Sequence, residues 1–216
     1  MQNKFSYKIL ILGPQGCGKG TQAQILSDKL GLPYFSTGNI LRMRINQKDE
    51  LGLRAEKFMN QGILVPDDMM KIIVSDFMSE SVVDRGYVLE GYPRNIDQAK
   101  FLDQVADLTH VFEVFISDNE AVRRITGRRT CPSCQKVYHI QYNPPEKNES
   151  CDNCGVRLEI RDDDREEAVR VRLGNYYERI EPIINFYKKQ GIHHKVNGEQ
   201  PIAKVAQDIA AVLNID

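Results

Sequence analysis

Short apolar runs alternate with longer amphipathic segments along most of the chain. The run Tyr7–Leu12 is almost continuously apolar and ends at a glycine, as is typical of a strand buried on both faces of a parallel sheet. The same patterns predict strands at 32–35, 86–89, 110–116 and 192–196, and helices at 21–30, 95–105 and 201–213. A further helix is predicted to begin near Asn39, with Ser36 and Thr37 as candidate caps. Strands that alternate with helices favour an α/β fold with a parallel sheet.

Two stretches interrupt this alternation. The segment 39–76 has the pattern of helix after helix, divided by glycines and a proline. The segment 129–161 is polar and carries four of the five cysteines in the chain. We therefore expect two inserts on the central sheet.

The composition is that of an ordinary soluble domain. The 216 residues are 41% hydrophobic and 27% charged, with a formal net charge of -1, so overall electrostatics favour neither a nucleic-acid nor a membrane partner. No apolar run reaches the length of a membrane span, and the N-terminus lacks the pattern of a signal peptide. We expect a cytoplasmic protein, whose reducing surroundings favour metal binding over disulfides.

A glycine-rich loop follows the first predicted strand. Gly13–Thr21 reads Gly-Pro-Gln-Gly-Cys-Gly-Lys-Gly-Thr, which matches the phosphate-binding pattern G-x-x-x-x-G-K in its strand–loop–helix context. Backbone N–H groups and the helix N-terminus suit an anion, Lys19 suits the β- and γ-phosphates, and the Thr21 hydroxyl suits Mg2+ or phosphate. Gly20 stands where Ser or Thr is commoner. The resulting sequence Lys-Gly-Thr resembles the phosphate loop of nucleoside monophosphate kinases. The alternative is a plain turn with a surface lysine.

The remaining four cysteines form two C-x2-C pairs. Cys131 and Cys134 are separated by sixteen residues from Cys151 and Cys154, a spacing typical of a tetrahedral zinc site. Four sulfur ligands leave no open position, which favours a structural metal. Disulfide pairing is the alternative, and a reducing compartment disfavours it.

Several motifs in order make the chain resemble adenylate kinase, in its bacterial long form with a zinc-bearing lid. They lie at 13–21, 36–42, 89–94, 127–129 and 161–173. The resemblance implies a P-loop NTPase-like, parallel five-stranded sheet flanked by helices, with a helical AMP-binding insert and a small zinc-bearing lid. The corresponding boundaries are 1–35, 66–128 and 166–216 for the core, 36–65 for the AMP-binding insert, and 129–165 for the lid.

The resemblance also implies an activity. It is the reversible, Mg2+-dependent transfer of the ATP γ-phosphoryl group to AMP, giving two ADP, by direct in-line transfer with closure of the lid. The implied cofactors are Mg2+ with ATP and a structural Zn2+ in the lid. The implied partners are ATP, AMP and ADP, with no nucleic acid, no membrane and a monomeric protein.

Site residues are carried over from the family motifs. The implied catalytic set is Lys19, Arg94, Arg124, Arg128, Arg161 and Arg172. The implied ATP-binding set is Gly16, Cys17, Gly18, Lys19, Gly20, Thr21, Arg124, Arg128, Val137, Tyr138 and Gln200. The implied AMP-binding set is Thr37, Arg42, Ile63, Val65, Glu90, Gly91, Arg94, Gln98, Arg161 and Arg172. The implied metal set is Cys131, Cys134, Cys151 and Cys154.

Three details refine these sets. Arg124 and Arg128 are four residues apart and would share one face of a helix. Asp163 and Asp164 match an acidic pair that assists closure and binds arginines. Glu90 and Asn39 stand where most relatives have aspartate, so we expect a displaced carboxylate near Mg2+ and a weaker contact between the AMP-binding insert and the lid.

Other functions remain as alternatives. A UMP/CMP kinase has the same fold, although Thr37 and Gln98 favour AMP because a glutamine amide can pair with the donor and acceptor edge of adenine. A P-loop GTPase or ATP-dependent switch is disfavoured because the sequence has no Asn-Lys-x-Asp motif. A zinc-ribbon nucleic-acid binder is disfavoured by the near-zero net charge.

Overall fold

A computed structural model of the chain describes residues 6–61, 63–161 and 164–215. In chain order, the described strands are β1 (Tyr7–Leu12), β2 (Tyr34–Ser36), β3 (Gly86–Glu90), β4 (His110–Phe115), β5 (Arg128–Thr130), β6 (Val137–His139) and β7 (His193–Asn197). The described α-helices are α1 (Lys19–Leu30), α2 (Thr37–Gln47), α3 (Glu50–Met59), α4 (Asp67–Met78), α5 (Ile96–Val105), α6 (Asp118–Thr126), α7 (Glu166–Lys189) and α8 (Ile202–Leu213).

Five parallel strands form the central sheet, in the order β2-β3-β1-β4-β7. The connection that leaves β1 runs to β2 on one side, whereas the connection that leaves β3 runs to β4 on the other. A crevice therefore opens between the carboxyl ends of β1 and β3, which is where open α/β sheets bind their ligands. The glycine-rich loop follows β1, and Gly91 follows β3.

Alternate residues of β1 point into two separate cores. Leu10 and Leu12 pack with α4, α5 and the C-terminal half of α7. Ile9 and Ile11 pack with α1, α6, α8 and the N-terminal half of α7. All four side chains are almost fully buried, which explains why the strand is apolar at nearly every position.

The two predicted inserts have different structures. The first consists of α2 and α3, whose first turns are capped by Ser36, which accepts from the Asn39 N–H at 3.4 Å, and by Asp49, which accepts from the Gly52 N–H at 2.6 Å. The second contains the antiparallel pair β5–β6 and a small core made of two cysteines, Tyr138 and Leu158. A core this small offers little hydrophobic stabilisation of its own.

Most predicted elements are confirmed, with bounds that differ by at most two residues. The predicted sharing of a helix face by Arg124 and Arg128 is wrong, because α6 ends at Thr126 and Arg128 begins β5. Helix α7 was not delimited from sequence, since Gly174 and Pro182 interrupt its pattern and a long helix packed on both cores has no single apolar face. No helix within the described residues has the length and apolar character needed to span a membrane.

The burial of α5 predicts the effect of truncating Leu102, which is fully buried. Leu102→Ala should lower the free energy of unfolding by ~2–5 kcal/mol, because it removes buried methyl groups and leaves a cavity. Leu53→Ala on α3 is the matched control, since Leu53 is 48% exposed. Urea denaturation measures both, and equal losses in the two variants would contradict the assigned core.

Candidate functional site

The glycine-rich loop wraps around the N-terminus of α1. Gly18 caps the helix in the left-handed region at φ 90°, and the first turn contains no acidic side chain to use its free N–H groups. Gly13 has φ 154°, and a side chain there would collide with the Val114 carbonyl oxygen and the Cys17 sulfur. The loop therefore presents backbone N–H groups and the positive end of the helix dipole to an anion. The Cys17 side chain is buried, so only its backbone can contact an anion in the loop.

One cavity of about 530 Å3 joins this loop to the first insert. Lys19 lies at one side of the cavity, and its Nζ donates to the Pro14 carbonyl at 3.2 Å. The other predicted residues that line it are Thr37, Arg42, Ile63, Val65, Gly91, Arg94, Gln98 and Arg172. Residues implied for two different nucleotides thus face the same cavity.

The Gln98 amide is held in one orientation. Its Nε2 donates to Asp67 at 2.7 Å, and its Oε1 accepts from the Arg94 backbone N–H at 2.7 Å. Asn95 also donates to Asp67, at 3.1 Å. Because an amide carries two N–H donors and an oxygen with two lone pairs, one donor and one acceptor position of Gln98 remain for a ligand. Asp67 was missed from sequence, since nothing local links it to Gln98.

The Glu90 carboxylate accepts hydrogen bonds from two hydroxyl groups of β2. Its Oε1 accepts from Ser36 at 2.5 Å and from Tyr34 at 3.3 Å. Burial and the nearby Glu90 carboxylate raise the pKa of Tyr34 well above its usual value, so the phenol stays protonated and donates. The longer side chain of glutamate reaches this neighbouring strand directly, which fixes where its carboxylate lies.

Arg42 connects the first insert to the second. Its Nη2 donates to Asn39 at 2.5 Å, and its Nε donates to Gln135 at 3.1 Å. Asn39 therefore binds Arg42 as a neutral acceptor. A second cavity, of about 300 Å3, lies between the inserts and is lined by Arg42 and Arg161. The Gln135 contact was not predicted.

Arg128 forms a paired hydrogen bond with a buried carboxylate. Its Nε donates to Oδ2 of Asp164 at 2.8 Å, and its Nη2 donates to Oδ1 of the same carboxylate. The Asp164 side chain is fully buried. This bidentate geometry is the strongest form of the arginine–carboxylate interaction. The predicted pairing of Asp164 with an arginine is confirmed, whereas Asp163 lies outside the described residues.

The remaining predicted residues lie around these groups. Gly16, Gly20 and Thr21 belong to the loop and the first turn of α1, Arg124 lies near the end of α6, and Val137 lies in β6. The Tyr138 side chain is buried beside the cysteines, so only its backbone can face a nucleotide. Gln200 donates to the Asn197 carbonyl and to Asp208, each at 2.8 Å.

Four cysteine sulfurs converge in the lid. The sulfurs of Cys131, Cys134, Cys151 and Cys154 all lie within 4.8 Å of one another, in an arrangement that could hold a metal ion. Three of the distances between them are 3.6 Å, and none of the cysteines forms a disulfide. The disulfide alternative is therefore wrong for this structure.

The Cys151 thiol ionises more readily than an ordinary cysteine. Burial opposes ionisation of Cys151, but hydrogen bonds from the Tyr138 hydroxyl and from the backbone N–H groups of Cys154 and Asn153 outweigh it and lower the pKa to about 6. The thiolate is the form that binds metal. Tyr138 thus acts as a hydrogen-bond donor behind the sulfur cluster.

Comparison with known proteins identifies the family. A family model described as adenylate kinase matches residues 11–192. The chain is 39% identical over 211 residues to the adenylate kinase of Methanocella arvoryzae, covering 95% of this chain and 98% of that one. It is 41% identical over 210 residues to the adenylate kinase of Archaeoglobus fulgidus, covering 95% and 97%. The chain belongs to the adenylate kinase family.

Membership of the adenylate kinase family makes the chain a nucleoside monophosphate kinase, and therefore a phosphotransferase. The adenylate kinase of Caldicellulosiruptor bescii extends the comparison, at 37% identity over 214 residues with 97% of this chain and 100% of that one covered. Adenylate kinases take ATP, AMP and ADP as substrates. Membership of a kinase family rules out the GTPase alternative.

The Arg128–Asp164 pair predicts a stability difference inside the lid region. Asp164→Ala should lower the free energy of unfolding by ~2–4 kcal/mol, because it leaves a largely buried guanidinium without its carboxylate. Glu149→Ala is the control, since its pair with Arg157 is 67% and 80% exposed and should contribute less than ~1 kcal/mol. Guanidinium denaturation of the two variants measures both values, and equal losses would mean that burial of the pair is unimportant.

Proposed function

We propose that the chain catalyses the reversible transfer of the ATP γ-phosphoryl group to AMP, giving two ADP. The observation that carries the proposal is the cavity shared by the phosphate loop and by Thr37, Arg94 and Gln98. A hydrolytic switch needs a site for one nucleotide, whereas transfer between nucleotides needs two sites that meet. The family match supports AMP rather than a pyrimidine nucleotide as acceptor.

The ATP side of the proposed site is the loop and its cationic neighbours. Gly16–Thr21 would bind the phosphates through backbone N–H groups, and Lys19 would exchange its contact with the Pro14 carbonyl for the β- and γ-phosphates. Arg124 and Arg128 would add positive charge from α6 and β5. Val137, Tyr138 and Gln200 are proposed to contact ATP through the backbone or at the rim.

The AMP side is formed by the first insert and by the segment after β3. Arg94 and Arg42 would bind the AMP phosphate, and the remaining donor and acceptor of Gln98 would pair with adenine. Thr37, Ile63, Val65 and the Gly91 backbone would enclose the base and ribose. Arg161 and Arg172 would bind phosphates of either nucleotide, between the two sites, where the phosphoryl group is transferred.

The residues at the junction suit Mg2+. Glu90 supplies a carboxylate and Thr21 a hydroxyl near the loop, and such oxygen donors are the ligands that Mg2+ prefers. When bound with ATP, the ion neutralises charge on the β- and γ-phosphates. The hydroxyls of Ser36 and Tyr34 would keep the Glu90 carboxylate in place as the nucleotide enters.

Transfer in this site would require alignment rather than a protein nucleophile. An oxygen of the AMP phosphate would attack the γ-phosphorus in line with the departing ADP, while arginines neutralise the developing charge. Closure of the lid over the loop would exclude water, which competes with AMP as the acceptor. The Arg42–Gln135 bond supports this proposal, because it already joins the two inserts across the cleft.

We propose that zinc is the metal bound by the four cysteines. Zinc–sulfur bonds of about 2.3 Å in a tetrahedron place the sulfurs about 3.8 Å apart. The three observed distances of 3.6 Å fit that geometry. With no ligand position left open the metal would be structural, and it would add to the small hydrophobic core of the lid. A cysteine-ligated metal also fits a protein of the reducing cytoplasm.

The first test measures ADP formation from ATP and AMP in a coupled assay. Lys19→Met should reduce kcat at least ~100-fold, because it removes the cation that follows charge onto the transferring group. Lys29→Met, at the exposed end of the same helix, is the matched control and should retain activity. AMP, UMP, CMP and GMP should be compared in parallel as acceptors.

Two results would contradict the proposal. One is a wild-type protein that forms no ADP from ATP and AMP. The other is a clear preference for UMP or CMP, which would make the chain a pyrimidine nucleotide kinase on the same fold.

The second test addresses the metal. Cys131→Ser should release zinc and lower the melting temperature by about 5–10 °C, because binding energy at a structural site contributes to folding. The dissociation constant for AMP should change much less, since none of the cysteines lines the shared cavity. Cys17→Ser is the control for metal content and should keep one zinc per chain.

Zinc content by atomic absorption and melting curves with and without a chelator measure these effects. Identical melting temperatures with and without chelator would rule out a structural metal.

A further inference from the structure

Glu120 lies at the centre of a small charged network on α6. Its Oε1 accepts from Arg124 Nε at 2.6 Å and from the Tyr142 hydroxyl at 3.3 Å, and its Oε2 is 2.8 Å from Arg123 Nη2. The Glu120 side chain is only 12% exposed. Burial opposes its ionisation, but the hydrogen bonds from Arg124 and Arg123 outweigh burial and lower the pKa of Glu120. The carboxylate is therefore charged at neutral pH.

Tyr142 brings a residue of the lid into this network. The centroid of its ring lies 5.4 Å from Cζ of Arg123 and 5.4 Å from Cζ of Arg124, within the range of a cation–π interaction. The His139 ring packs against Tyr142 with centroids 4.5 Å apart. Gly127 permits this approach, because a side chain there would collide with His139. The network thus crosses the boundary between α6 and the lid.

The network fixes Arg124 without using all of its donors. Arg124 uses its Nε to donate to Glu120, and the described residues include no acceptor for its two terminal nitrogens. The guanidinium is planar, so a bond at Nε and a ring against one face determine where the two terminal nitrogens point. The Arg124 side chain is 17% exposed, so a ligand can still reach it.

We propose that Glu120 and Tyr142 are positioning residues that hold the Arg124 guanidinium ready for ATP. The inference rests on the proposed function, because it takes Arg124 to contact ATP. Neither residue was singled out from sequence, since α6 reads as an ordinary amphipathic helix and Tyr142 lies in a polar loop.

The geometry distinguishes positioning from competition. A carboxylate that occupied the terminal nitrogens of Arg124 would have to be displaced by ATP, and its removal would strengthen binding. Glu120 accepts from Nε instead and leaves the terminal nitrogens to a ligand. Loss of Glu120 should therefore weaken ATP binding, since a mobile arginine must be ordered when the ligand binds.

The test measures dissociation constants for ATP and AMP by calorimetry on the full chain. Glu120→Gln should raise the dissociation constant for ATP about tenfold, as expected for the loss of one charge-assisted hydrogen bond. Tyr142→Phe, which keeps the ring and removes the hydroxyl, should raise it about threefold. The dissociation constant for AMP should stay within about twofold of the wild-type value in both variants.

Two further variants separate positioning from a general loss of stability. Glu166→Gln breaks a Glu–Arg pair of the same i,i+4 spacing on α7, where both side chains are more than half exposed, and should leave ATP binding unchanged. In an Arg124→Ala background, Glu120→Gln should have no additional effect on ATP binding, because its effect passes through Arg124.

The inference is overturned if Glu120→Gln and Tyr142→Phe are folded and bind ATP as tightly as the wild type, or more tightly. It is also overturned if Glu120→Gln weakens ATP binding equally with and without Arg124. Failure of the proposed function has a different signature. In that case the wild-type protein itself would not bind ATP or would form no ADP from ATP and AMP, and both proposals would fall together.

Discussion

The structure depends on the need to present several backbone N–H groups to one site. The loop after β1 meets this need only because Gly13 and Gly18 adopt positive φ values that place the chain against Val114 and open the N-terminus of α1. The conformation of this loop depends on a rigid strand before it. Strand β1 is rigid because it lies in the middle of the sheet and packs against a core on each face. The position of the cleft then follows from the strand order.

A site rich in arginine must also control where each guanidinium points. Each of the three best-defined arginines has a separate partner: Asp164 for Arg128, Glu120 for Arg124, and Asn39 with Gln135 for Arg42. The Asp164 side chain is fully buried and the Glu120 side chain is 12% exposed, so both carboxylates hold their arginines close to the core. Asn39 and Gln135 lie in different inserts, so Arg42 joins the first insert to the second.

The parts of the site that could be predicted from sequence are formed by residues that are close together in the chain. The phosphate loop is a local strand–loop–helix pattern, and the two C-x2-C turns place two sulfurs each by local geometry alone. By contrast, Asp67 reaches Gln98 across 31 positions, and Tyr142 reaches Glu120 across 22. Such contacts depend on how elements pack, which periodicity does not encode. Arg128 shows the opposite error, since a helical spacing was extended past the point where α6 ends.

The departures from the family pattern also required the structure. At Glu90, sequence predicted a displaced carboxylate, and the side chain is seen bonded to Ser36 and Tyr34 on β2. At Asn39, sequence predicted a weaker contact between the inserts, and in the structure the Asn39 amide accepts from Arg42, which also bonds Gln135 of the second insert. Glu90 keeps the charge of an aspartate and moves the carboxylate, whereas Asn39 replaces a charged side chain with a neutral amide.

The central claim is that one cavity holds two nucleotides and that the phosphoryl group passes directly between them. The most direct measurement is the configuration at phosphorus after transfer from ATP made chiral at the γ-phosphate to AMP. A single in-line transfer predicts inversion of configuration. Retention would contradict the account, because it requires two successive transfers through a phosphorylated protein group.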